Sequence, residues 1–221
     1  FLSLIAFISF VVSFYQLNLQ YDGHHHGLAF SITEDFLNNK IPYKDFLPNY
    51  GFFYIFLNSF FIKIFSGSIS GIYFLSSILK SIGTLIIGLM LSNLFNKRTA
   101  FVGVILIFLI HPFVDTPWPD YLFLTLVLSS FYLIFVFKNN YSYFFSGALY
   151  ACASLTKDSF LIILLLSLLI FELVFLYYKF YKKINIVNFL NRFWLLGFFL
   201  PLIIFYSYLF TNDIFFDFLN H

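Results

Sequence analysis

Residues 51–65 read GFFYIFLNSFFIKIF, and the way this segment meets a membrane decides how the rest of the chain is laid out. It is apolar enough to enter a bilayer. A hydrocarbon core of about 30 Å takes roughly 20 helical residues, however, and this run is shorter and carries Asn58 and Lys63. Taken as a helix lying in the interface, it leaves Lys97, Arg98, Lys138, Lys179, Lys182, Lys183 and Arg192 on one side, with no acid in the same loops. The other side then receives Asp22, Glu34, Asp35, Asp45, Asp115, Asp120, Asp158, Asp213 and Asp217, which is every acidic residue but Glu172. Taken as a span, it inverts each later loop and turns the basic clusters outward, against the positive-inside rule. The charges therefore select the interfacial reading, with the basic side in the cytoplasm.

The composition surrounding that segment agrees. Of 221 residues, 61% are hydrophobic and only 10% charged, with a mean hydropathy of +0.91. A water-facing shell needs roughly a quarter of its residues charged, so a soluble globule is excluded. Spans are expected at approximately Phe1–Leu17, Gly71–Phe95, Ala100–Val114, Tyr121–Phe137, Tyr143–Thr156, Ser159–Tyr178 and Phe193–Phe210. The expected fold is all-α, a polytopic transmembrane bundle of about seven spans forming one domain over residues 1–221. Its first external loop, residues 20–70, carries interfacial helices. Within the loop a short helix is predicted over Leu28–Asn39, ended by the turn at Ile41-Pro42, with a second turn at Pro48–Gly51. The chain opens inside an apolar run at Phe1 and closes at His221 just after another, so it is expected to be the N-terminal portion of a longer protein. A formal charge of +2, with no basic run longer than Lys182-Lys183, excludes a nucleic-acid partner. The single cysteine, Cys152, can form neither an internal disulfide nor a CxxC site. Phosphate-loop, dinucleotide, nucleophile-elbow and HExxH patterns do not occur.

The chemistry-bearing residues gather on the outer side. Asp22 follows the first span in Tyr21-Asp22-Gly23-His24-His25-His26-Gly27. A carboxylate at the membrane boundary can take a proton from a hydroxyl arriving from water while a lipid-borne partner arrives from the bilayer; a solvated loop acid is the alternative. Successive helical residues point about 100° apart, so the three histidines do not all converge on one ion; in a helix Asp22 and His26 share a face at i, i+4, which leaves a thin metal site as the alternative. His24 and His25 are instead candidates for a substrate phosphate, or wet interface residues. Lys157 and Asp158 break the apolar stretch from Tyr143 to Tyr178 and mark an outer helix boundary. There an ammonium can hold a lipid phosphate or simply snorkel. Between His111 and Asp120, Trp118 fits an aromatic belt, while Asp115 and Asp120 either line the cavity of Asp22 or are ordinary loop acids. Lys80 and Glu172 sit inside apolar runs, where charge is costly.

Three strings, Tyr21 to Gly27, Asp35-Phe36-Leu37-Asn38-Asn39-Lys40-Ile41-Pro42-Tyr43-Lys44-Asp45-Phe46, and Tyr50-Gly51, resemble the membrane-embedded GT-C glycosyltransferases of the protein O-mannosyltransferase and lipid A aminoarabinose transferase type. In that family an acid soon after the first span precedes a G-x-x-P-Y-x-D-F turn and a Y-G entry to a surface helix. Asn39 stands where glycine is common, Phe65-Ser66-Gly67 matches the helix ending loosely, and Leu155-Thr156-Lys157 looks like the family's L-T-K element. The resemblance implies sugar transfer from a polyprenyl-phosphate donor at the outer face, with Asp22 as catalytic base and Lys157 at the donor phosphate. His24, His25, Tyr43, Asp45 and Asp115 complete the expected substrate contacts. The implied partners are the lipid-linked sugar, the bilayer and a hydroxyl acceptor that the sequence does not identify, in the plasma membrane of a bacterium. No cofactor is demanded; a divalent cation is an alternative to Lys157 for stabilising the leaving phosphate. One carboxylate suffices, unlike the pair of a glycosidase. A transporter or flippase fragment, in which Lys80, Lys157 and the outer acids line a path, is the competing reading, with a non-catalytic membrane subunit as a third. Cysteines placed at Asp45 and Lys182 should label from opposite sides of sealed vesicles; labelling from one side would overturn this topology.

Overall fold

The computed structural model describes residues 1–19, 23–110, 117–157, 160, 162, 166, 169–170 and 192–219. The described elements are α1 (Leu2–Leu19), α2 (His25–Leu37), α3 (Phe52–Ile64), α4 (Ser70–Leu94), α5 (Lys97–Ile110), α6 (Pro119–Phe137), α7 (Asn140–Ser154), α8 (Arg192–Thr211) and α9 (Phe215–Leu219), and no strand occurs among the described residues. Four of these, α1, α4, α6 and α8, are long and apolar enough to cross a membrane. At 14 and 15 residues, α5 and α7 are shorter. These six helices correspond to six of the seven expected spans; Ser159–Tyr178 lies for most of its length outside the described residues.

Apolar side chains face outward as well as inward. Phe7 on α1 is 61% exposed and Ile203 on α8 is 60% exposed, an arrangement that is favourable against hydrocarbon and unfavourable against water. Hydroxyl groups supply the polar contacts between helices, where lipid tails give no hydrophobic drive to associate. Ser81 Oγ donates to Ala6 O at 2.7 Å, joining α4 to an antiparallel α1. Thr125 Oγ1 donates to Leu79 O at 3.1 Å, joining α6 to a parallel α4. Ser130 and Ser146 share a hydrogen bond of 2.8 Å between α6 and α7, and Trp194 Nε1 donates to Ser146 Oγ at 3.2 Å from α8. Gly147 lies against the backbone of Trp194 and Phe198, while Gly197 lies against Phe144. Further along, Leu155 and Phe205 line the same hollow. Thus α7 and α8 run parallel.

These directions bring the ends of α1, α7 and α8 together with the starts of α4 and α6, and leave Lys97, Arg98, Lys138 and Arg192 at the opposite end. The position of α3 follows. Its start is bonded to the end of α7, through Phe53 N–H and Leu155 O at 3.0 Å. Its far end packs Phe61 and Phe65 on Phe74 of α4, at 6.0 and 5.1 Å. Both contacts are at one end of the bundle, so α3 lies across that end instead of passing through it, as the charge distribution required. The short α2 lies beside it, with Ala29 and Ile32 in one buried cluster with Ile55, Ile62, Ile72 and Leu122.

Three helix starts lie three residues ahead of expectation, among them α5, which begins at Lys97 instead of Ala100 with Asn96 Oδ1 accepting Thr99 N–H. The short helix begins at His25 instead of Leu28, because Gly27 is taken into it and His25 and His26 pack on neighbouring elements. The start of α7 is at Asn140 instead of Tyr143, because Asn139 and Ser142 form a reciprocal capping box. The ends are equally local. After α2, Asn39 N–H bonds to Phe36 O and Lys40 N–H to Asp35 O, with Asn39 at φ 61°. After α3, Ser66 N–H bonds to Lys63 O and Gly67 N–H to Ile62 O, with Ser66 at φ 53°. Both are Schellman endings, whose left-handed residue is ordinarily glycine. Asn39 therefore stands where the family favours glycine because asparagine tolerates the same conformation. Serine tolerates it less well, so Ser66→Gly should raise stability by about 1 kcal/mol, read as a higher midpoint of thermal unfolding in detergent; an unchanged or lower midpoint would contradict this account of the turn.

Candidate active site

The site is assembled around a clasp between α3 and α7. Gly51 N–H donates to Thr156 O at 2.9 Å, beside the bond from Phe53 to Leu155. The first N–H groups of a helix and the last carbonyls of another lack partners within their own helices, and here each end satisfies the other. A β-carbon on Gly51 would lie 2.7 Å from Lys157 N and would press on Leu155 O, so only glycine lets the two backbones approach this closely. Tyr50-Gly51 and Leu155-Thr156-Lys157 are therefore one structural unit. Lys157 is half-buried, with Nζ 5.5 Å from the centre of the Phe160 ring, within reach of a cation–π attraction. Phe160 in turn packs on Phe123 of α6 at 4.2 Å.

Two tyrosines extend the clasp to the start of α6. Tyr54 is buried and donates its hydroxyl to Pro117 O. Tyr50 meets Tyr54 edge-on at 5.0 Å. Burial raises the pKa of the Tyr50 phenol, and the charge of Asp120 raises it further. Burial and then Tyr50 raise that of Tyr54. Both hydroxyls consequently stay protonated at neutral pH.

The three histidines go to three different places. His24 is exposed and meets His25 edge-on at 4.9 Å; His25 stacks on Trp118 at 4.9 Å; and buried His26 shares a hydrogen bond of 3.0 Å between Nδ1 and the Tyr73 hydroxyl of α4. Together they fasten α2 to the starts of α4 and α6. Among the described residues no three His, Cys, Asp or Glu side chains converge as a metal ion requires.

Tyr43 and Asp45 shape their own turn. Asp45 Oδ2 accepts Ile41 N–H at 2.7 Å, and Tyr43 N–H donates to Phe46 O at 3.0 Å. Tyr43 has φ 71°, and its buried ring meets Phe218 of α9 edge-on at 5.0 Å. A left-handed aromatic residue costs on the order of 1–3 kcal/mol, which the carboxylate bond and the packing offset. The contacts described for both residues are thus structural.

Asp22, Asp115, His111, Asp158 and Glu172 lie outside the described residues. The end of α1 at Leu19 and the start of α2 at His25 are both at the clasp's end of the bundle. Lys80 is buried within α4, its Nζ 4.6 Å from the Tyr121 ring. The link from Tyr50 and Tyr54 to Pro117 is what the sequence alone did not disclose. The Tyr50-Gly51 string pointed at this place, but a bond to a carbonyl far along the chain leaves no local signature.

An apolar helical bundle, four of whose described helices are long and apolar enough to cross a bilayer, defines an integral membrane protein. Residues 49–210 match the family described as dolichyl-phosphate-mannose-protein mannosyltransferase, and the chain belongs to that family. Membership implies a glycosyltransferase of the GT-C type that uses a polyprenyl-phosphate-linked sugar. No curated protein and no solved structure matches the chain. The matched range takes in both halves of the clasp. Gly51→Ala should therefore cost about 1–3 kcal/mol of stability by overpacking and lower sugar transfer as well. Tyr54→Phe, which loses one hydrogen bond, should cost only about 1 kcal/mol. Equal unfolding midpoints for Gly51→Ala and the parent would refute the clasp.

Proposed function

We propose that the chain transfers a sugar from a polyprenyl-phosphate donor to an acceptor hydroxyl at the outer face of a bacterial plasma membrane, with Asp22 as general base and Lys157 at the donor phosphate. The observation that carries this reading is the clasp. It fixes Lys157 at the same end of the bundle as the last turn of α1 and the first turn of α2, between which Asp22 falls in the sequence. That end is the acidic one, and the basic residues at the other end argue for a cytoplasmic orientation there.

In the reaction, the Asp22 carboxylate takes the acceptor's proton as the acceptor oxygen bonds to the anomeric carbon. The bond from that carbon to the phosphate oxygen breaks on the opposite face, and its electron pair leaves with the lipid phosphate. The anomeric configuration inverts. Phosphate departs as an anion and needs no proton, so a single carboxylate serves, and the Lys157 ammonium meets the charge that develops. In this reading His24 and His25 assist with the phosphate; His24 is exposed, and His25 is half-buried and stacks on Trp118.

The reading is tested with the chain in vesicles carrying a labelled polyprenyl-phosphate sugar. Asp22→Asn should lower turnover by a factor of about 10²–10⁴, the usual contribution of a positioned base, while membrane insertion is unchanged. Lys157→Met should weaken donor use more than it alters acceptor use. Transfer by Asp22→Asn at the parent rate would remove the assigned role.

A further inference from the structure

Lys80 has no part in the transfer reaction described above, and its setting calls for an explanation. It sits in the eleventh position of an apolar membrane-spanning helix and is 2% exposed. Its side chain lines a hollow of 230 Å³ between α4, α5 and α6, walled by Gly83, Ile87, Ile107, Leu124 and Leu128. This is room for roughly eight water-sized groups, enough for a stretch of one acyl chain. Leu124, at the rim, is 50% exposed on the outer surface of the bundle, so the hollow opens towards lipid. It is formed by α4, α5 and α6 and is separate from the α3–α7 clasp and Lys157.

Depth matters as much as charge. Helical side chains tilt towards the N-terminus of their helix, and the start of α4 is at the acidic end of the bundle. The Lys80 ammonium is accordingly carried to Tyr121, in the first turn of α6, with 4.6 Å between Nζ and the ring centre. It therefore approaches the level at which lipid headgroups lie, with the apolar walls of the hollow continuing below it towards Ile87 and Leu128. The walls away from the ammonium are mostly apolar and offer water few partners. The occupant that matches an ammonium above an apolar, lipid-facing hollow is an amphiphile with an anionic head.

We propose that this hollow binds an anionic phospholipid of the surrounding bilayer, with Lys80 holding the head phosphate and the α4–α5–α6 walls holding part of one acyl chain. The site is independent of the transfer reaction, so its failure leaves that reading intact. The test uses the whole chain in nanodiscs of phosphatidylcholine alone, phosphatidylcholine with phosphatidylglycerol, and phosphatidylcholine with polyprenyl phosphate, with retained lipid measured by native mass spectrometry after detergent extraction. The parent should retain phosphatidylglycerol, and Lys80→Arg should do the same. Lys80→Met should lose about fivefold or more of the retained lipid, as expected for one basic residue near a membrane surface. That variant replaces a buried charge by an apolar side chain of similar length, so its lipid-free unfolding midpoint should not fall. Gly83→Leu, which fills the hollow and leaves the ammonium in place, should lose the lipid too. Equal retention by Lys80→Met, retention of phosphatidylcholine only, or preference for polyprenyl phosphate would each overturn the proposal.

Discussion

The two backbone hydrogen bonds from Gly51 and Phe53 to Thr156 and Leu155 hold one end of the bundle together. Each bond joins a helix start that lacks acceptors to a helix end that lacks donors, in surroundings where an unsatisfied backbone group is expensive. Their geometry requires a residue without a side chain at position 51. Everything at that end is referred to this contact. It lays α3 across the bundle, sets the direction in which the chain leaves α7, and so determines where Lys157 stands. Through Tyr54 and Pro117 it also fixes the start of α6, and with it Trp118 and Asp120.

Much of the architecture was legible in the sequence because the bilayer imposes few solutions. Apolar runs of the right length, and one set of loops that carries basic residues and no acid, are enough to order α1, α4, α6 and α8 and to lay residues 51–65 across an end. The charges also anticipated the segregation by end among the described residues, with Lys97, Arg98, Lys138 and Arg192 opposite Glu34, Asp35, Asp45 and Asp120. What remained illegible were contacts between distant strings. The motifs around Tyr50 and Lys157 are recognisable separately, but no periodicity says that they touch. Trp118, read as a belt residue, stacks on His25, and His26, one of three similar neighbours, alone reaches Tyr73. Such choices are made by packing, which sequence patterns do not encode.

The family turn at residues 41–46 shows how a motif can be kept for shape. Proline sets the backbone, Asp45 binds the Ile41 N–H, and Tyr43 is held at positive φ with its ring buried on Phe218. In this arrangement the Tyr43 ring packs α9 against the loop between α2 and α3, at the same end of the bundle that carries Lys157. Conformational cost is stored in a turn, and the compensation comes from elements far along the chain.

The central claim is that residue 22 and residue 157 serve one site on one side of the membrane. The most direct measurement replaces Cys152 with serine and places cysteines at 22 and 157 together, then applies a short, membrane-impermeant bifunctional thiol reagent to sealed vesicles of known orientation. The account predicts that both thiols react from the outer side and that the chain becomes internally cross-linked. Reaction of the two thiols from opposite sides, or from the outer side with no cross-link at any reagent length, would contradict it.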